Sequence, residues 1–203
     1  MSTSEKSYHH GDLRAALLTA AIASLEDGEQ LSMRAVARRA GVSQTAPYRH
    51  FADRAALDAA VAVEGFTDLT GDLSDSLAAL ADDATAVDVL SALGVAYVGF
   101  ALRRPAVFRL MFGNECDPAD GERVQAAERL HALLGGVTER LFPGVPSPAI
   151  ATGMWSAAHG LAFLHLDGKL RPGPFDEVAE RVRATIGALL AAGSVASVPA
   201  SGS

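Results

Sequence analysis

Apolar residues recur along this chain every three to four positions and almost nowhere every two. Leu13, Leu17, Ala21 and Leu25 form an i, i+4 row with Leu18 and Ile22 beside it. This row predicts a first helix opened by Gly11-Asp12 and ended at Gly28. Val36, Ala37 and Ala40 repeat the pattern in a shorter second helix. Ser32 stands where its hydroxyl can take an orphan backbone N–H, and Gly41 supplies a residue able to turn left-handed at the other end. Ser43 offers a further cap, with Val42 before it placed to pack under the next helix. That helix, 44 to about 49, is short, polar and exposed apart from Tyr48 and Phe51. A longer helix starts at Asp53 and continues through Leu57 and Val61, loosened near Gly65 and Gly71. Helices follow over 87–103, stopped before Pro105, and over 105–112, ended at Gly113. Further helices cover 119–142, 149–166 and 174–192. No segment of useful length alternates with the period of a strand, and no internal repeat is visible. The expected fold class is all-α.

With 203 residues, nearly half of them apolar, the chain has material for a sizeable core and fits a small domain joined to a larger one. The boundaries expected are a flexible arm over 1–8, a small domain over 9–58, a larger domain over 59–192 and a disordered Gly/Ser/Ala-rich tail over 193–203. No secretory signal is seen, and the lone Cys116 excludes an internal disulfide, so a reducing, cytoplasmic setting is expected. From Leu141 to Leu166 no Asp, Glu, Lys or Arg occurs, a length that could span a bilayer. Pro143, Pro146 and Pro148 at one end, with Gly153, Ser156, His159 and His165 beyond, favour a buried helix instead.

Charge changes the picture more than composition does. Formal net charge is −7, yet between Ser32 and Arg54 five arginines (Arg34, Arg38, Arg39, Arg49, Arg54) face one acid, Asp53. A locally cationic helix–turn–helix with a short, polar second helix is poor core material. It is suited to laying side chains on base edges and phosphates. The same layout also occurs as an ordinary helical hairpin.

The order Ala-Val-Ala-Arg-Arg-Ala-Gly-Val-Ser, followed by Tyr48-x-His50-Phe51, strongly resembles the DNA-binding domain of the tetracycline-repressor (TetR) family of bacterial transcription regulators, over about residues 9–58. The resemblance implies that the helix over 32–39 supports a recognition helix over 44–50. It implies phosphate contacts by Tyr48 and His50, with Arg54 in the place of a basic residue common at the start of the fourth helix. Arg34 and Lys6 join the phosphate set, and Ser43, Gln44, Thr45, Ala46, Pro47 and Arg49 complete the expected DNA face, with base reading from Gln44 to Arg49. Pro47 departs from the commonest pattern. It removes an N–H and disfavours helical geometry at Ala46, so a short, tightened first turn is expected.

In the larger domain, Tyr97 and Phe100, then Phe108, Met111 and Phe112, then the stripe Trp155, His159 and Phe163 are the candidate ligand-binding residues. Such a stripe is also ordinary core, with His159 satisfied by a backbone carbonyl; read functionally, it is an apolar cavity with a few polar groups. Trp155-x-x-x-His159-Gly160, with Arg104-Pro105 and the run from Phe108 to Gly113, resembles a subgroup of TetR-like C-terminal domains named for a Trp-His-Gly motif. Two late helices suit association. One is rich in Gly153, Ala157, Ala158 and Gly160 with Met154, Leu161 and Leu164; the other carries Val178, Val182, Ile186, Leu189 and Leu190 on one face. One recognition helix reads few base pairs, so a homodimer on a palindromic operator is expected.

No catalytic set emerges. His159 and His165 are about 120° apart on a helix, His9-His10 and His131 give no metal spacing, and Ser156 lacks a nucleophile elbow. Cys116 lies between Glu115 and Asp117, which disfavour its thiolate. No enzyme, cofactor or metal is therefore expected. The expected function is a DNA-binding transcriptional regulator, a repressor released by a small-molecule effector, with no membrane partner. The alternative is a DNA-binding regulator controlled by a protein partner.

Overall fold

The computed structural model describes residues 10–113 and 121–195. The expected arm over 1–8 with Lys6, His9, Cys116 and the tail beyond Val195 lie outside the described residues. Among the described residues there are eight α-helices and no strand: α1 (His10–Glu26), α2 (Met33–Arg39), α3 (Arg54–Ala78), α4 (Ala86–Arg103), α5 (Pro105–Gly113), α6 (Gly121–Leu141), α7 (Ser147–Leu166) and α8 (Phe175–Val195). A single 3-10 turn, Pro47–Arg49, lies between α2 and α3. α8 runs two residues past the expected start of the tail at Gly193.

Helix ends follow local chemistry. The Ser32 hydroxyl accepts the Ala35 N–H at 3.2 Å from an extended N-cap. At the other end of α2, Gly41 has φ +69°. This lets the Val42 N–H reach Ala37 O at 3.0 Å and the Gly41 N–H reach Arg38 O at 3.2 Å, a Schellman closure. α4 opens with a capping box that the apolar pattern did not reveal. Thr85 Oγ1 accepts from the Asp88 N–H at 3.2 Å, and the Asp88 carboxylate accepts from the Thr85 N–H at 2.9 Å. α3 passes unbroken through Gly65 and Gly71. A Cβ on Gly65 would lie 2.5 Å from Met111 Sδ and 2.8 Å from Val107 Cγ1, so this glycine is a point of close packing by α5 and not a loosened turn.

The chain forms two compact units. The first holds the described residues through Phe66 and those within Ala106–Ala126. Leu17, Ala21, Leu31, Val36, Ala37, Phe51, Leu57 and Val61 are buried in it, and the Arg14 guanidinium lies 5.3 Å from the centre of the Phe51 ring. Arg123, also buried, donates to Met111 O at 3.0 Å.

The second unit holds Thr67–Pro105 and the described residues from Ala127. α4 lies at its centre, packed on α7 and α8. Although long and apolar enough to cross a membrane, α4 is the core helix of this unit, with Leu90, Leu93, Tyr97, Val98, Phe100 and Ala101 buried. Its Gly94 admits Ile186, whose Cδ1 would be 2.4 Å from an added Cβ. Arg103 pairs with Asp72 at 2.6 Å, and Arg104 with Asp68. α7 buries one side only: Ala158, Leu161 and Ala162 are enclosed, while Thr152, Gly153, Ser156 and Leu164 are exposed. The charge-free stretch that suggested a buried helix therefore leaves an open face.

Candidate functional site

The segment after Gly41 is shorter than expected. In place of a helix over 44–50 there is a bend followed by one 3-10 turn at Pro47–Arg49. The cause is Pro47. An α-turn from Ser43 needs an N–H at position 47, and proline has none. Ser43 O takes the Ala46 N–H at 3.0 Å instead, Ala46 O takes the Arg49 N–H at 3.2 Å, and Pro47 O takes the His50 and Phe51 N–H groups at 3.0 and 2.9 Å. Tightening of this turn was expected from Pro47; the loss of the following helical turn was not. Ser43 does not cap a helix here, since its hydroxyl pairs with that of Thr45 at 3.2 Å.

Side chains on this turn divide by exposure. Ser43, Gln44, Thr45 and Arg49 are exposed, and His50 is half-buried. Tyr48, expected on the apolar side with Phe51, is 54% exposed, while Phe51 is 3% exposed. Ala46 and Pro47, expected on the DNA face, are buried in the first unit, because the 3-10 turn rolls them inward.

The five arginines also separate. Arg34, Arg38 and Arg49 are exposed, and among the described residues none of them is held in an ion pair. Arg39 is pulled back by Asp27 at 2.5 Å and Glu29 at 3.7 Å. Arg54 donates from Nε to Asp58 at 2.7 Å and from Nη1 to the Leu31 carbonyl, tying the start of α3 to the residue before the α2 cap. Of the five, the exposed cations outside ion pairs are thus Arg34 and Arg38, one turn apart on α2, and Arg49 on the 3-10 turn, while Arg39 and Arg54 are exposed but paired.

The ligand candidates fall in both units. Phe108, Met111 and Phe112 belong to the first unit, where Phe112 stands edge-on to Phe66 at 5.5 Å and 4.9 Å from Phe108. Phe100 is buried in the second unit. Tyr97, Trp155, His159 and Phe163 do meet. The Trp155 indole N–H donates to the Tyr97 hydroxyl at 3.1 Å, and that hydroxyl lies 2.8 Å from His159 Nδ1. Which of the two donates depends on the tautomer of His159. Burial pushes the His159 imidazole down, consistent with a neutral ring. Burial pushes the Tyr97 phenol well up, against the opposing effect of the bond from Trp155. The Trp155 ring lies 5.2 Å from His131 and 5.6 Å from His159, and His159 lies 4.8 Å from Phe163. A hydroxyl across the bundle is thus a partner of His159.

Beside this relay lies a cavity of about 30 Å³, room for about two waters. Leu90, Leu93, Gly94 and Tyr97 line it from α4 at i, i+3, i+4 and i+7, with Thr138 from α6 and Met154 from α7. A second volume, about 400 Å³, opens between α6 and α7 against His131, Gly135, Pro148, Thr152 and Trp155. Sequence reasoning favoured aromatic residues and so missed Thr138, His131 and the small residues. The leucine spacing on α4 was the available signal.

Residues 17–61 match the family described as "Bacterial regulatory proteins, tetR family", and residues 90–189 match "Tetracyclin repressor-like, C-terminal domain". A protein of unknown function from Rhodococcus sp. RHA1 has a similar structure at 35% identity, with 90% of this chain and 97% of that chain covered and a TM-score of 0.76. A TetR-like transcriptional regulator from the same organism aligns at 18% identity over 91% of this chain and 98% of its own, with a TM-score of 0.65. The TetR family regulator PfmR from Thermus thermophilus aligns at 19% identity, covering 85% and 94%, with a TM-score of 0.61. At these two lower identities the likeness is one of fold. No match emerged among curated protein sequences.

Proposed function

Since the chain belongs to the TetR family of bacterial transcription regulators, we propose that it is a repressor that binds a palindromic operator as a homodimer and is released by a small-molecule effector. The observation that carries the DNA-binding part is the exposed turn after Gly41, flanked by Arg34, Arg38 and Arg49. These cations face solvent on a protein whose net charge is −7, and a phosphate backbone responds to local charge before net charge. Tyr48 and His50 join them on phosphates. Gln44, Thr45 and Arg49 read base edges, with Ser43 at the rim. Ala46 and Pro47 set the shape of the turn from beneath. Arg54 holds the motif together through Leu31 and Asp58.

Dimerisation is supported by glycines that the protomer does not require. Gly153 and Gly160 on α7 and Gly187 on α8 have nothing within 4 Å of an added Cβ. Glycine inside a helix costs about 1 kcal/mol relative to alanine, so a second copy approaching closely is a physical reason for them. Leu164 and Leu189, 43% and 47% exposed, extend the same two helices' open surface. Two recognition turns related by a twofold reach half-sites about 34–36 Å apart.

Selection of bound sequences from random duplex DNA, followed by a screen for compounds that release the selected site, tests the reading. The expected result is an enriched palindrome with half-sites about one helical turn, or a multiple of it, apart. Absence of any enriched sequence would remove the DNA-binding reading. Release by a purified protein and by no compound would replace the effector with a protein partner.

A further inference from the structure

The two volumes in the second unit share a wall made of Leu134, Ala151 and Trp155. We infer that together they form one site for a neutral, largely apolar small molecule with a single hydrogen-bonding head. Its body lies in the α6–α7 cleft, its head points toward the Tyr97 hydroxyl, and Trp155 senses it. The inference rests on the effector reading above and adds the chemical class and the location.

Wall chemistry sets the class. None of the described residues around either volume is Asp, Glu, Lys or Arg. A carboxylate or ammonium entering there would lose hydration and gain no opposite charge. The polar atoms on the inner wall are neutral: the Tyr97 and Thr138 hydroxyls and the indole N–H of Trp155. These suit a hydroxyl or carbonyl head, which can exchange with one of the existing bonds. Size divides the roles. About 400 Å³ in the cleft accepts a body, whereas about 30 Å³ inside accepts a head group and no more.

Trp155 is placed to report on occupancy. Its ring borders both volumes, its N–H is held by Tyr97 at 3.1 Å, and His131 stands edge-on to it at 5.2 Å. It is the chain's one tryptophan, so its emission belongs to this site alone.

The test titrates the full chain at pH 8 with 1-octanol, octanoate and octylammonium while following tryptophan emission. A saturable change with 1-octanol is expected, and 1-heptanol should bind about fourfold more weakly for the lost methylene. The two ions should bind at least about tenfold more weakly than the alcohol. Ala151→Phe and Leu134→Phe, each filling the shared wall, should abolish the response while circular dichroism shows the helices intact. Ions binding as tightly as the alcohol, no saturable response to the alcohol, or parent-like responses from the folded variants would each overturn the inference. The charge series on the unaltered chain decides the matter even where a variant does not fold. Release of the selected DNA, measured in parallel, separates this inference from the reading beneath it. An emission change without release keeps the site and removes its effector role. Release by another compound with emission unaltered keeps the regulator and removes the site.

Discussion

Arg49 and Arg54 lie five residues apart with the same charge, and the fold uses them differently. Charge counting over 32–54 could not separate them, because it sees the guanidinium and not its partner. Arg49 is exposed, while Arg54 is anchored to Asp58 and the Leu31 carbonyl. Arg49→Ala should therefore flatten the salt dependence of DNA binding by about one unit of slope and leave the melting temperature unchanged. Arg54→Ala should destabilise the first unit by about 1 kcal/mol, the value being held down by partial exposure. Melting curves and salt titrations on both variants check this; a melting temperature unaffected by Arg54→Ala would show that its bonds contribute nothing net. Two histidines of the second unit, His159 and His165, give a pH dependence. His159 is pushed down by burial, and His165 by burial and then by Arg181, whose guanidinium lies 3.2 Å from its Nε2. The unfolded chain then binds more protons than the folded one, so stability is complete above the ordinary imidazole value of about 6.5 and falls as pH drops through the lower folded values. Thermal midpoints should decrease from pH 7.5 to 5.5, and less steeply in His159→Gln/His165→Gln. An equal slope in that variant would assign the acid sensitivity elsewhere.

At the scale of elements, helix existence was legible and helix surroundings were not. The ends at Gly28 and Gly41 could be read because a left-handed residue has few alternatives to glycine. Position in the packing cannot be read that way, since a glycine looks the same whether it faces a neighbour or solvent. Gly65 reads as a flaw in α3 and proves to be where α5 comes close. Gly94 and Gly153 make the contrast measurable. An added Cβ at Gly94 would meet Ile186 Cδ1 at 2.4 Å and Val182 Cγ1 at 3.0 Å, while at Gly153 it would meet nothing within 4 Å. Gly94→Ala should cost about 1–3 kcal/mol by forcing α4 from α8. Gly153→Ala should raise the protomer's intrinsic stability by up to about 1 kcal/mol through helix propensity. Urea unfolding of both variants at low protein concentration tests the pair; equal destabilisation would contradict the packing assigned to α4. The recognition turn belongs to the same lesson. Pro47 was legible as a local break, but the inward roll of Ala46 and the outward roll of Tyr48 depend on which residues the first unit had room to bury.

For the whole molecule, the acidic sign of the chain and the cationic sign of its DNA face must be reconciled. With a net charge of −7, a protomer held far from DNA is repelled, while the surface near Arg34, Arg38 and Arg49 is attracted. Three such cations give a weak, salt-sensitive grip, and pairing two copies in the proposed dimer would make the second grip a linked binding event. Association therefore has to be tight enough to survive operator binding at low protein concentration. The open faces of α7 and α8 are the surfaces proposed to supply it. Leu164→Glu/Leu189→Glu places charge on two exposed apolar positions, so helicity should be unchanged while sedimentation shifts from dimer to monomer. Affinity for the full palindrome should fall by at least about a hundredfold, as expected when a second, linked binding event is lost. Binding to a single half-site should be unaltered. Gly160→Ala should act in the same direction more mildly, stiffening the protomer while holding the helices of the pair apart. A dimer that persists in both variants with full operator affinity would move the interface off α7 and α8. The glycines at 153, 160 and 187 would then need a different physical account.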